Sequence, residues 1–182
     1  MNNRILSNHA GKIAISSALI GASNYLLMIN VTLAHIETVS GRVPFDMRPL
    51  GYGPTEATTI LEALGADGRA YYLSHQIALD TLYPAMLGLT LIGTISWFGK
   101  RMPNRKLVRF GIALSIGSAL FDYAENLGIA VMIWSWPQVP DPLVYATGTA
   151  TILKSALTSA AALLTLLVGF SWARLSKTVA RP

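Results

Sequence analysis

Residues 107–134 read LVRFGIALSIGSALFDYAENLGIAVMIW. A run this apolar and this long exceeds the roughly 20 helical residues needed to cross a hydrocarbon layer of about 30 Å. It reads as a membrane-spanning helix that carries Asp122 and Glu125 within it. Three other runs have the same character, at residues 13–35, 75–98 and 143–172. The connections on either side of 107–134 are short, which makes its neighbours antiparallel. The connection between the first two runs, residues 36–74, is long and rich in Gly, Pro and acidic residues.

The whole chain agrees with that reading. Of its 182 residues 52% are hydrophobic and 13% charged, with a mean hydropathy of +0.46, against about a quarter charged in a soluble domain. Too little polar surface is available to cover a soluble core. With no cysteine, disulfide scaffolds, thiolate zinc sites, iron–sulfur clusters and cysteine nucleophiles are excluded. The expected fold is all-α: an integral membrane four-helix bundle, a single membrane domain over 1–182. The first run is too long for a signal-peptide core and contains Asn24 and Asn30, so it reads as a retained anchor.

The net charge of +5 is explained by topology. Arg4, Lys12, Lys100, Arg101, Arg105, Lys106, Arg109, Arg174, Lys177 and Arg181 flank one side, and Arg42, Arg48 and Arg69 the other, with Lys154 inside a span. The positive-inside rule then puts both termini in the cytoplasm. That side carries no Asp or Glu, so the basic charge faces lipid headgroups and no nucleic-acid partner is expected. Trp97 and Trp172 fall at the inner ends, and Trp134, Trp136, Tyr71, Tyr72 and Tyr145 at the outer ends, as an interfacial belt requires. The expected location is a multi-pass integral membrane position, in the cytoplasmic membrane of a bacterium or the endoplasmic reticulum of a eukaryote.

Within the outer loop, Pro54-Thr55-Glu56 after Gly53 marks a helix start. Ala57, Ile60, Leu61 and Leu64 followed by Gly65 give one short amphipathic helix with a C-terminal glycine. Residues 43–53 have no helical period and read either as an ordered, turn-rich lid or as a loop.

Ionisable groups inside a bilayer cost about 2.5–3.5 kcal/mol each on insertion scales and mark function by default. Four occur: Asp80, Asp122, Glu125 and Lys154. At about 1.5 Å per helical residue, they lie roughly 8–18 Å below the outer interface, with Glu125 and Lys154 matched in depth. Each belongs to a polar stripe at helical spacing, and the first span has its own in Ser17, Gly21, Asn24, Met28, Thr32 and His35. Four such faces turned together make a polar pocket in the outer half of the bundle, closed by the long loop. Below Asp122 the stripes hold only hydroxyls such as Ser115, Ser118, Thr90, Thr94, Thr165 and Ser17, which favours a blind pocket over a conduit.

Three carboxylates facing one ammonium in a low dielectric cannot all be ionised, so one holds a proton or His75 or His35 supplies a second cation. Asp122 and Glu125, at i and i+3, titrate as a pair. The same residues have a plainer reading, because buried Asp, Asn and Lys also tie membrane helices together by interhelical hydrogen bonds. No H-E-x-x-H or E-x-x-H spacing, G-x-S-x-G elbow, phosphate loop or dinucleotide fingerprint occurs, so no metal and no cofactor is expected.

Four spans, a long outer segment with a short helix, an acid then a proline in the second span (Asp80, Pro84), a short basic turn over 100–109 and a basic tail form a layout. It resembles the EXPERA-type (emopamil-binding, sigma-2-like) small membrane proteins. The resemblance implies an amphiphilic ligand entering laterally from lipid and a carboxyl group that donates or relays a proton.

The expected function is a membrane-embedded enzyme, an isomerase or cyclase, performing proton transfer on a lipid-like or terpenoid-like small molecule among membrane lipids. Glu125 or Asp122 is the acid, Asp80 the partner base and Lys154 the counter-ion, and Asn126, Asn24, Tyr83, His75 and His35 bind substrate. Two other readings stand beside it. One is a proton-coupled transporter or channel. The other is a non-catalytic ligand-binding or assembly protein, for which Gly111, Gly117, Ala156 and Ala160 offer close-packing surfaces, including between copies in a homo-oligomer.

Overall fold

The computed structural model describes residues 3–101 and 105–179, and side chains over 9–100 and 106–174. Arg4, Arg101, Arg105, Lys177 and Arg181, counted in the charge bias, have side chains outside the described residues. The described chain is helical throughout, with no strand among the described residues. Its helices are α1 (Asn3–Leu27), α2 (Leu33–Ser40), α3 (Pro54–Tyr71), α4 (Ile77–Phe98), α5 (Arg105–Trp134) and α6 (Asp141–Val179). Four segments are long and apolar enough to cross a membrane: His9–Ser40, Pro54–Phe98, Lys106–Trp134 and Asp141–Arg174. Leu19, Leu120, Leu127, Leu163, Leu166 and Leu167 are each more than 60% exposed on these rods. Leucines displayed in that number suit acyl chains rather than water.

The helical rods are longer than the sequence suggests. A π-helical turn, Met28–Thr32, joins α1 to α2, and the helix ends only at Gly41, whose φ of 62° allows its N–H to reach Glu37 O at 2.8 Å. Gly65, at φ 62° and ψ −175°, ends the amphipathic turns of α3 where the glycine signal placed the stop. The chain then re-enters helix at once and runs through a second π-helical turn, Tyr72–Gln76, into α4. Residues 36–74 are therefore mostly helical extensions of two spans, joined by the linker 41–53, which holds a single 3-10 turn at Phe45–Met47. Nothing in 66–76 breaks a helix except Gly68, which is buried against Leu64 and Val39.

Packing follows a row rather than a closed square. The α1 rod lies along α4, α4 along α5 and α5 along α6, with a smaller contact between α4 and α6. On the first rod Thr90 donates to Ser17 at 3.0 Å, Asn24 Nδ2 donates to Leu79 O at 2.9 Å and Thr32 donates to Gln76 Oε1 at 2.5 Å. The polar stripe of the first rod is thus satisfied along the second, from Thr90 near one end to Gln76 near the loop. Where α5 crosses α6, a Cβ at Gly128 would lie 2.2 Å from Thr147 Oγ1, so only glycine permits that approach. Trp97, Phe98 and Trp172 stack at the end opposite the loop.

Pro84 is buried in α4. It has no N–H, so the carbonyl of Asp80 loses its helical partner. Asn126 Nδ2 supplies the bond at 3.0 Å, while Tyr123 OH donates to Thr81 O at 3.0 Å and Asn24 to Leu79 O on the other side. Three side chains from neighbouring helices thus serve consecutive carbonyls of the opened turn. Asn126→Ala is expected to lower stability by about 1–2 kcal/mol, because it leaves a buried carbonyl unpaired. The companion Asn126→Ala/Pro84→Ala chain should recover most of that loss, since residue 84 then has an N–H. Unfolding titrations of both chains in mixed micelles check this, and equal losses would remove the assignment.

Candidate functional site

The acids and the amine meet. Lys154 on α6 bridges α5, with Nζ 3.0 Å from Asp122 Oδ1 and paired also with Glu125 Oε2. Thr151, one turn before Lys154, donates to Glu125 Oε1 at 2.6 Å. The i, i+3 spacing of Asp122 and Glu125 and the i, i+3 spacing of Thr151 and Lys154 put each pair on one face. These two faces oppose each other along the α5–α6 seam. Glu125 is 0%, Asp80 2% and Asp122 5% exposed. The depth match paired Glu125 with Lys154; the structure adds Asp122 to the same ammonium.

Asp80, from α4, is not bonded to Lys154. Its Oδ2 has no hydrogen-bond partner among the described residues, and the residue lies one helical turn after Gln76, whose Nε2 is 3.4 Å from Asp46 Oδ1 on the linker. Asp46 is the site residue that sequence reasoning missed. It sits in a 3-10 turn, Phe45–Met47, and accepts hydrogen bonds from Tyr72 OH at Oδ2 and, at 3.4 Å, from Gln76 Nε2 at Oδ1. Gln76 Oε1 in turn accepts from Thr32 at 2.5 Å, so the two π-helical turns face each other across this bond. Such turns widen a helix locally and recur at functional sites. The available sequence signal for Asp46 was Phe45, an aromatic residue in a turn-rich run that has no reason to be in water. It is fully buried against Tyr52 and Tyr72, with ring centroids 4.7 and 6.1 Å away.

Tyr52 follows Phe45 inward. Burial, with Glu125 and Asp46 close by, pushes its phenol far above the ordinary value, so it stays neutral beside Thr151. The linker is thus an ordered plug, the lid alternative of the two sequence readings. Arg48 holds it at the rim, donating from Nε to Val43 O at 3.0 Å and pairing with Glu56.

The remaining expected residues divide. The amide nitrogens of Asn126 and Asn24 are committed to α4 carbonyls, while Asn126 Oδ1 is buried without a hydrogen-bond partner among the described residues. Tyr83 is half-buried and stacks on Tyr25, with ring centroids 5.4 Å apart. His35 and His75 are not brought to the acids. Both are exposed, on either side of Tyr71, with centroids 4.2 and 4.3 Å from its ring, and Ser74 Oγ lies 2.8 Å from His75 Nδ1.

Two grooves open on the lipid-facing side between α1 and α4. One, of about 430 Å³, is lined by Leu19, Ile20, Ser23, Asn24, Leu27 and Leu82. The other, of about 280 Å³, includes Gly21, Tyr25, Tyr83, Leu87 and Thr90. No acid lines either. Towards the opposite end the hydroxyls turn to their own helices or to one another. Ser115 donates to Gly111 O, Thr94 to Thr90 O and Thr165 to Ala161 O, and Ser118 bonds Thr158. No ionisable side chain continues the cluster in that direction among the described residues.

No family model matches this chain, and neither a curated protein nor a solved structure does so.

Proposed function

We propose that this chain is a membrane-embedded acid/base enzyme, an isomerase or cyclase. Its substrate is a lipid-like or terpenoid-like amphiphile that reaches the cluster from the bilayer past Tyr25 and Tyr83. The observation that carries the reading is the burial of three carboxyls, Asp122 and Glu125 paired with the single ammonium of Lys154 and Asp80 outside that pair. One ion pair suffices to tie two helices; the further carboxyls are surplus to that need.

Roles follow from partners. Asp122 and Glu125, held by Lys154, act as the base; Asp80, equally buried but outside that ion pair, acts as the acid. This exchanges the acid and base expected from sequence. Transfer of the Asp80 proton to an alkene carbon leaves a carbocation beside two carboxylates. Loss of a proton from the adjacent carbon to Glu125 or Asp122 then moves the double bond, and return of that proton to Asp80 completes the cycle.

The reaction leaves an isotopic trace. Protein purified from native membranes and held in D2O is expected to put deuterium into a co-purifying lipid, detected by mass spectrometry. Asp80→Asn, Asp122→Asn and Glu125→Gln should each slow that labelling by at least about 100-fold. Labelling of no lipid, or equal labelling by all four chains, would refute the reading. For Asn24 and Asn126 a structural role is favoured by their bonds to the carbonyls beside Pro84.

A further inference from the structure

We propose that the outward face of α1 is an interface with a second copy of this chain, a parallel two-fold pairing along Ser16, Leu19, Ser23, Leu26 and Asn30. The pairing is independent of the enzyme reading, because this face lies opposite the one that packs on α4.

The position of α1 leaves that face open. The rod lies along α4 at the end of the row. Ala14, Ser17, Gly21, Asn24 and Met28 are buried, so the other side of the helix looks outward. There Leu19 is 66% and Leu26 57% exposed, and Ser16, Ser23 and Asn30 are exposed around them. These five residues occupy successive a and d places of a heptad, the spacing at which one helix meets another along its length. The seam has two ends. Lys12, exposed one turn before Ser16, brings a charge at one. At the other, past the π-helical turn Met28–Thr32, the next d residue is Leu33, which is buried. From Ser16 to Asn30 the seam is about 21 Å long, at about 1.5 Å per residue.

The side chains on the seam say what covers it. A polar group at every a place of a lipid-facing helix asks for a partner that acyl chains do not supply. Asn30 Nδ2 donates to Leu26 O at 2.8 Å and Ser16 Oγ to Ile13 O at 3.2 Å. An amide so engaged keeps a second N–H and an acceptor oxygen, and a hydroxyl keeps its acceptor capacity. Copies of one chain enter a membrane in the same sense, so a two-fold axis between them runs along the membrane normal. The two α1 rods are then parallel, and each residue on the axis meets its own counterpart. Only a group that both donates and accepts pairs with itself there. Amides and hydroxyls do; carboxylates and ammonium groups repel. All three a places carry such self-complementary groups, and Leu19 and Leu26 fill the layers between them. Beside the seam, the groove of about 430 Å³ between Ile20 and Leu27 on α1 and Leu82 on α4 takes the partner's flanking side chains. The glycines that sequence offered for contact between copies are used within the chain: Gly111 lies against Ile95 and Leu164, and Gly117 against Leu157.

Because the chain has no cysteine, single-cysteine variants of the full protein read the seam by disulfide formation. Oxidation in the membranes of the producing cells is expected to join Ser16→Cys, Ser23→Cys and Asn30→Cys into dimers. It should do so at least about tenfold faster than Tyr25→Cys, which faces Tyr83, or Leu120→Cys on α5, since a disulfide needs Cβ atoms about 4 Å apart. In liposomes, energy transfer between labelled copies should show Asn30→Leu associating about 5- to 30-fold more weakly than the native chain. Asn30→Gln, which also pairs with itself, should stay close to native. The proposal is overturned by equal joining at Leu120→Cys, by no joining at the three seam positions, by joining to a different protein, or by native association of Asn30→Leu.

Discussion

Lys154→Met is expected to destabilise the protein by about 3–5 kcal/mol, the cost of removing one partner from a buried ion pair. The methionine fills the volume of the stem, so packing is nearly preserved. What changes is that Asp122 and Glu125, 5% and 0% exposed, lose the single ammonium between them. Thr151 then remains as a donor to Glu125, and it is neutral. A melt of detergent-purified protein, followed by circular dichroism, should show a large downward shift. The triple chain Lys154→Met/Asp122→Asn/Glu125→Gln should regain most of it, because the uncompensated charges are gone. Glu125→Gln alone should cost much less, since Lys154 keeps Asp122. If the single Lys154→Met chain melts like the native one, the three groups are not coupled as described.

Gly148→Val should release the plug. A Cβ at Gly148 would lie 2.8 Å from Tyr52 O, and one at Gly51, where φ is +76°, would lie 2.9 Å from Gly148 O. Backbone rests on backbone there, with no flexible side chain to yield. A branched side chain on α6 must therefore lift residues 51–52, and with them Tyr52 and Phe45. Overpacking of this kind costs about 1–3 kcal/mol, and the displaced linker frees the backbone around Arg42 and Arg48 for cleavage. Trypsin should cut Gly148→Val in this stretch at doses the native chain survives, and Thr149→Val, on the exposed side of α6, should stay resistant. A resistant Gly148→Val would mean that the plug is not seated through this contact.

Much of this was legible along the chain. Span content, the stop at Gly65, the shared face of Asp122 and Glu125 and the matched depth of Glu125 and Lys154 all follow from local rules of length and period. Helix ends were underestimated because hydropathy falls at 36–40 and 66–74 while the backbone stays helical. Hydrogen bonds within a helix do not depend on apolar side chains, and Gly41 is the first residue that breaks the pattern. Asp46 was invisible as a site residue for a different reason. A turn has no period from which to project direction, and only the burial of Phe45 and Tyr52 tells which way the linker folds.

The amino-acid order by itself determined that the chain holds four segments long and apolar enough to cross a membrane and that acids and one amine lie at similar levels along them, since both depend only on composition and helical rise. Which of those groups touch was decided by the fold. Ser17 and Asn24 are satisfied by α4, Lys154 reaches two carboxylates instead of one, and a linker held glycine against backbone brings Asp46 to Tyr72 and Gln76. Contacts between helices depend on rotation about each axis and on which neighbour is met first, and neither is encoded by spacing along one strand of sequence.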